Sequence, residues 1–115
     1  VIFDNVDPNS KIAQEEIFGP VLIVITVQDI KEAIKIANNT NYGLAASIWT
    51  NDYDEACQVS KQLESGIVHI NSYGEDDNTV PFGGFKESGI GKDKSIFAFN
   101  EYSNFKTTWM KFNSL

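Results

Sequence analysis

Val21-Leu22-Ile23-Val24-Ile25-Thr26-Val27, behind Gly19-Pro20 and ahead of Gln28-Asp29, is a continuous apolar and β-branched run with no polar alternation. Successive side chains of a strand point to opposite faces, so a run of this kind predicts a strand covered on both sides, as in the sheet of an α/β protein. Asp29 with Glu32 three residues on forms a helix-capping pair, and Ile30, Ala33, Ile34 and Ala37 follow at helical spacing. One face of that helix is expected to pack on the sheet.

The pattern then repeats. Asn38 to Gly43 is a turn cluster and Leu44 to Trp49 a second strand. Asp52 with Glu55 caps a second helix, whose stripe is Ala56, Val59 and Leu63. Gly66 stands where a helix C-terminus favours a left-handed residue, and Ile67 to Asn71 is a third strand. Strand, helix, strand, helix, strand with short links predicts an α/β fold with a parallel βαβαβ core, whose ligands gather at the carboxyl ends of the strands. Beyond it, Ser72 to Lys92 is a long, glycine-rich, acidic loop. Asp93 to Tyr102 is expected to be helical, and Asn104 to Phe112 favours a strand. Three strands make a thin sheet whose edges need company.

The 115 residues are 42% hydrophobic and 22% charged, the balance of a folded globular chain, long enough to bury roughly two thirds of its surface around one core. Net charge is −7 and all nine basic residues are lysine, which excludes the basic footprint of a nucleic-acid binder. No apolar stretch approaches the roughly 18 residues of a membrane helix. The single cysteine excludes an internal disulfide framework and points to a reducing, cytoplasmic setting. Val1 to Asn5 carries neither an initiator Met nor a basic leader, so the chain is expected to be a piece of something longer.

Nucleophile, base and metal chemistry find little support. Cys57 falls in mid-helix as a small side chain, and His69 lies inside an apolar strand as a structural residue. With only one of each, a metal site is not expected. Gly84 to Ser95 imitates a phosphate-binding loop and misses its spacing: Ile90 stands where lysine belongs, and Asp93 follows Gly91-Lys92.

Three blocks are distinctive: Glu15-Glu16-Ile17-Phe18-Gly19-Pro20-Val21, Asn41-Tyr42-Gly43-Leu44-Ala45-Ala46, and Pro81-Phe82-Gly83-Gly84-Phe85-Lys86-Glu87-Ser88-Gly89. In this order and spacing they resemble the C-terminal part of the aldehyde dehydrogenase superfamily, from Val1 to the Lys106-Thr107-Thr108-Trp109 ending. The strings 79–84 and 91–95 are most similar to its aminoaldehyde and γ-glutamyl-aminobutyraldehyde branch. The resemblance implies cofactor-binding roles for Glu16, on the hydroxyls of the nicotinamide ribose, and for Phe18, against the nicotinamide. An acceptor-only carboxylate suits a diol, and an aromatic ring gives a flat apolar wall. It implies that Phe82 lines the aldehyde channel and that the loop bearing Asp76 and Asp77 forms its mouth, where acidic charge would favour amine-bearing aldehydes.

The family's cysteine nucleophile, glutamate base and oxyanion asparagine, with nearly all of its cofactor domain, correspond to sequence upstream of this segment, so no catalytic residue is assigned here. The expectation is a fragment of an NAD- or NADP-dependent enzyme that neither turns over aldehyde nor holds the cofactor by itself. Residues 1–103 would belong to the catalytic domain and residues 104–115 to a strand bridging to another subunit. The partners would be the remaining N-terminal part of the enzyme or a second copy, and no nucleic acid or membrane. The alternative is a stand-alone assembly module of the same fold, using its sheet edges to associate.

Overall fold

The computed structural model describes residues 1–74 and 77–113. In chain order the elements are β1 (Ile2–Phe3), α1 (Lys11–Gln14), β2 (Leu22–Ile23), α2 (Ile30–Asn38), β3 (Tyr42–Gly43), β4 (Ala45–Ile48), α3 (Tyr53–Ser60), β5 (Ile67–Ile70), β6 (Phe85–Lys86) and α4 (Ala98–Glu101). The α/β class holds. β4, α3 and β5 form a βαβ unit with parallel pairing from Ala45 opposite Ile67 to Ile48 opposite Ile70, and α3 packs on β4.

The single βαβαβ sheet is not seen among the described residues, which form three two-stranded sheets. β2 pairs in parallel with β1, Ile2 opposite Leu22, and not with β4. β3 pairs antiparallel with β6, which comes out of the segment expected to be loop. Two residues are too few for periodicity to reveal, so β1 and β6 carry no local signal.

Both helix starts form as expected. The Asp29 carboxylate accepts from the Glu32 N–H at 2.8 Å and the Glu32 carboxylate reaches back to the Gln28 N–H at 2.7 Å. Asp52 accepts from Glu55 N–H at 3.0 Å. Each cap satisfies a backbone donor that the first helical turn leaves open. Asp29→Ala and Asp52→Ala are each expected to cost about 1 kcal/mol. Amide exchange should show it as faster opening of the first turn of α2 or α3; unchanged exchange in both would mean that the caps contribute nothing.

Several expectations are corrected. Val21–Val27 is not covered on both faces: accessibility alternates along it, and Leu22 and Val24 are exposed. The face bearing Leu22 and Val24, which are 56% and 38% exposed, is only partly covered. Ala37 and Ile30, on the α2 stripe, are exposed as well. Gly66 is not a left-handed cap, for α3 ends six residues earlier at Ser60. It is glycine because a Cβ there would lie 1.7 Å from the Gly83 carbonyl oxygen. The helix expected over Asp93 to Tyr102 is confined to Ala98–Glu101, because Asp93 pairs with Phe82 and the backbone is left-handed at Lys94 and Ser95. Residues 104–112 form no strand, since no partner strand lies beside them among the described residues, and Phe105 and Trp109 are 95% and 91% exposed.

Nor does the chain close around one core. Ala56 is the one buried hydrophobic residue among those described. The accessible surface of 9627 Å² compares with about 6,300 Å² for a compact chain of this mass, so about half rather than two thirds of the unfolded surface is covered. The radius of gyration, 20.4 Å, exceeds the roughly 13 Å of a compact domain of this length, and the long axis is 81 Å.

Candidate active-site edge

The first block runs from the end of α1 into β2. Glu15 closes α1 through its N–H to the Lys11 carbonyl at 3.0 Å, and its carboxylate lies 3.7 Å from the Lys11 ammonium. Glu16 is different. Its side chain is exposed, and among the described residues its carboxylate has no hydrogen-bond partner, so all its acceptor positions are open. Phe18 has a left-handed backbone, φ 52°, and a ring that is 92% exposed. Both the strained backbone and the bare ring cost free energy in this chain alone.

The second and third blocks meet through β3 and β6. Ser88 Oγ accepts from the Gly43 N–H at 2.9 Å, and Lys86 reaches across to the Asn38 and Thr40 carbonyls at 2.8 and 3.2 Å and to the Glu64 carboxylate at 2.6 Å. Asn38 in turn accepts from Glu64 N–H at 2.9 Å and donates to the Gln62 carbonyl at 2.7 Å. Lys86 and Asn38 thus tie the C-terminus of α2, the α3 to β5 link and β6 into one knot. Lys92, in the glycine-rich stretch, donates to the Gly83 and Gly84 carbonyls at 2.9 and 3.1 Å, with its ammonium 5.0 Å from the Phe85 ring centre. Its charge is spent on holding the loop, which argues against a phosphate cradle there. Reading the sequence missed these lysines as organisers; their partners are backbone carbonyls, which leave no mark in the side-chain pattern.

An open cleft of about 710 Å³ is lined by Glu15, Glu16, Tyr42, Leu44 and Ser88 among others. A second, of about 390 Å³, has Phe82, Leu44 and Ser88 in its wall. Phe18 lines a third, of about 320 Å³, again with Glu16. The three clefts share walls: Glu16 lines the first and the third, and Leu44 and Ser88 line the first and the second. Leu44 and Ser88 lie within the quoted blocks, yet only the fold shows that they join the two sides.

At the mouth, Asp76 lies outside the described residues. Asp77 is exposed, and the Thr79 backbone N–H, 2.7 Å from its carboxylate, together with the Thr79 side chain and the positive Lys94, holds its pKa below the ordinary carboxylate value. Phe82 is half-buried and bonded to Asp93 through both backbone groups, at 2.8 and 2.7 Å. Cys57 sits on α3 one turn after Tyr53, whose hydroxyl pKa it raises, and His69 is on β5 with its ring 6.3 Å from that of Tyr73. Neither lines the clefts that hold Glu16 or Phe82. Among the described residues, no group of three or more His, Cys, Asp and Glu could hold a metal ion, and no helix is long and apolar enough to cross a membrane.

The aldehyde dehydrogenase family profile matches residues 1–108. The chain belongs to the aldehyde dehydrogenase family. It is 46% identical over 109 residues to the NADP/NAD-dependent aldehyde dehydrogenase PuuC of Escherichia coli and 48% identical over 110 residues to the aminoacetaldehyde dehydrogenase of Pseudomonas aeruginosa. Each comparison covers 95% of this chain and 22% of the relative, so the chain spans about a fifth of their length. Among solved structures, it is similar to the P. syringae indole-3-acetaldehyde dehydrogenase AldA in complex with NAD+ and IAA, with a TM-score of 0.90 and 52% identity over 96% of this chain and 22% of that one. The aldehyde dehydrogenase KauB of P. aeruginosa matches with a TM-score of 0.89 and 53% identity over the same shares. The expected likeness to the aminoaldehyde branch is met by the second of these relatives, and the expectation of a fragment by the shares covered.

Proposed function

We propose that this aldehyde dehydrogenase segment completes the active site of an NAD(P)-dependent enzyme that oxidises aldehydes to carboxylic acids, with amine-bearing aldehydes as the favoured substrates. Glu16 would accept from the nicotinamide ribose hydroxyls and Phe18 would lie against the nicotinamide. Phe82 would line the aldehyde channel, with Asp76 and Asp77 at its mouth. Residues 104–115 would bridge to another subunit, which would give the exposed Phe105 and Trp109 rings a surface to cover them.

The observation that carries the reading is the pairing of an uncommitted carboxylate at Glu16 with a bare ring at Phe18, two residues apart on one loop. Both fit a nicotinamide riboside: one offers only acceptors to a diol, the other an apolar plane to a flat heterocycle. The bound cofactor would supply the hydride acceptor; these residues bind and orient it. Glu16→Gln keeps the shape but replaces one acceptor oxygen with a donor, and in the full-length enzyme it should weaken NAD(P) binding about tenfold, as expected for losing a charge-assisted hydrogen bond. Isothermal calorimetry on the purified enzyme would measure this, and unaltered cofactor affinity would remove Glu16 from the site.

A further inference from the structure

Lys94 lies where two turns are fastened together. On one side Phe82 and Asp93 exchange backbone hydrogen bonds, and on the other the Ser95 N–H donates to the Asn78 carbonyl at 2.8 Å. Between these ties the backbone is left-handed at both Lys94, φ 56°, and Ser95, φ 54°, and the Asp93 carboxylate accepts from the Lys94 N–H at 2.9 Å. Two successive non-glycine residues in that region are uncommon and persist only where the surroundings dictate them. The consequence is a fixed direction for the Lys94 side chain. It is half-buried, and its ammonium stands 5.2 Å from the centre of the Phe82 ring, within cation–π range. The same charge acts on Asp77, whose turn the Ser95 to Asn78 bond holds close by.

We propose that Lys94 is a specificity-determining residue that opposes Asp77: its ammonium occupies the Phe82 ring and offsets the Asp77 charge, so the channel mouth separates amine-bearing from plain aldehydes less sharply than it would with Asp77 unopposed. The inference rests on the reading of Phe82 and Asp77 as channel residues. A substrate ammonium approaching Phe82 meets a cation already seated on that ring, and like charges at such distances repel, more strongly at low salt. A neutral aldehyde is indifferent to it. Lys94 therefore acts on the ratio between the two substrates rather than on turnover itself.

The test is kcat/KM of the full-length enzyme for an ω-aminoaldehyde and for the unsubstituted aldehyde of equal chain length, at low and high salt. Lys94→Gln should raise the amino-to-plain ratio about three- to fivefold at low salt, the scale of one partly exposed charge pair, and less at high salt. Lys94→Arg, which keeps both the charge and the contact with the ring, should retain the wild-type ratio. Asp77→Asn should lower it. An enzyme that oxidises neither aldehyde, or an Asp77→Asn variant with an unaltered ratio, would overturn the reading of the mouth and the role of Lys94 with it. A ratio that falls in Asp77→Asn yet stays put in Lys94→Gln, or moves as far in Lys94→Arg as in Lys94→Gln, would overturn the role of Lys94 and leave the mouth standing.

Discussion

Prepared without the rest of the enzyme, the 115-residue chain should show no cooperative thermal transition, should bind a hydrophobic dye at low temperature, and should form no NADH from any aldehyde. The accessible surface exceeds that of a compact chain by about 3,300 Å², and the exposed side chains include Trp49, Tyr53, Phe97, Phe99, Tyr102, Phe105, Trp109 and Phe112. With Ala56 as the one buried hydrophobic residue described, the burial that normally offsets the entropy of ordering a chain is missing. Apolar patches of this extent mark interaction surfaces or sites of aggregation. The expected lack of turnover has a separate cause: Cys57, the chain's single thiol, stands apart from the clefts that hold Glu16 and Phe82, as does His69. Differential scanning calorimetry and a 340 nm assay would decide both halves. A sharp two-state melt of a monomer would show that the bare faces are tolerated, and NADH formation would put nucleophile and base within these residues.

Gly66→Ala in the full-length enzyme should be the most damaging single-methyl change in this segment, at about 3 kcal/mol or more, with loss of activity. The added Cβ would sit 1.7 Å from the Gly83 oxygen, 2.8 Å from the Gly83 carbonyl carbon and 3.2 Å from the Gly84 Cα, where ordinary contact needs about 3.5 Å. Every one of those atoms is backbone, so no rotamer change relieves the clash. The glycine-rich loop would have to lift away from β5, carrying Phe82 with it. Gly74→Ala is the control: that glycine has φ +73° and nothing within 4 Å, so its substitution should cost only the conformational penalty of about 1–2 kcal/mol. Urea unfolding of the two variants side by side would separate them. If Gly66→Ala proved no worse than Gly74→Ala, the approach of Gly83 to β5 would be looser than described.

The contrast between Gly66 and the helix caps shows which parts of the molecule the sequence discloses. Asp29 and Asp52 could be read because cap and capped N–H lie three residues apart, and the same short range made the α/β alternation legible. Gly66 was misread because its partner is a carbonyl 17 positions away, and a local rule for helix ends supplied a plausible substitute. Burial of Val21–Val27 was overread for a related reason: composition reports what a strand is made to meet, whereas accessibility reports what this chain brings to it. The helix expected at Asp93 failed because pairing with Phe82 outweighed propensity. Glu16 and Phe18 drew attention only through resemblance, since two glutamates before a Gly-Pro turn have no distinguishing period of their own. That their side chains stand exposed, and that Leu44 and Ser88 line both clefts, became visible only in three dimensions.

That shared lip sets a thermodynamic condition on any pair of ligands that would fill both clefts. Ser88 belongs to the wall beside Glu16 and to the wall beside Phe82, while its hydroxyl accepts from the Gly43 N–H. Whatever free energy an occupant of one cleft adds to or takes from binding in the other by displacing Ser88 must be returned in equal measure, because linkage between two sites is reciprocal. Were ligands to occupy both clefts, any coupling between them that a change at Ser88 altered would alter by the same factor in either order of addition.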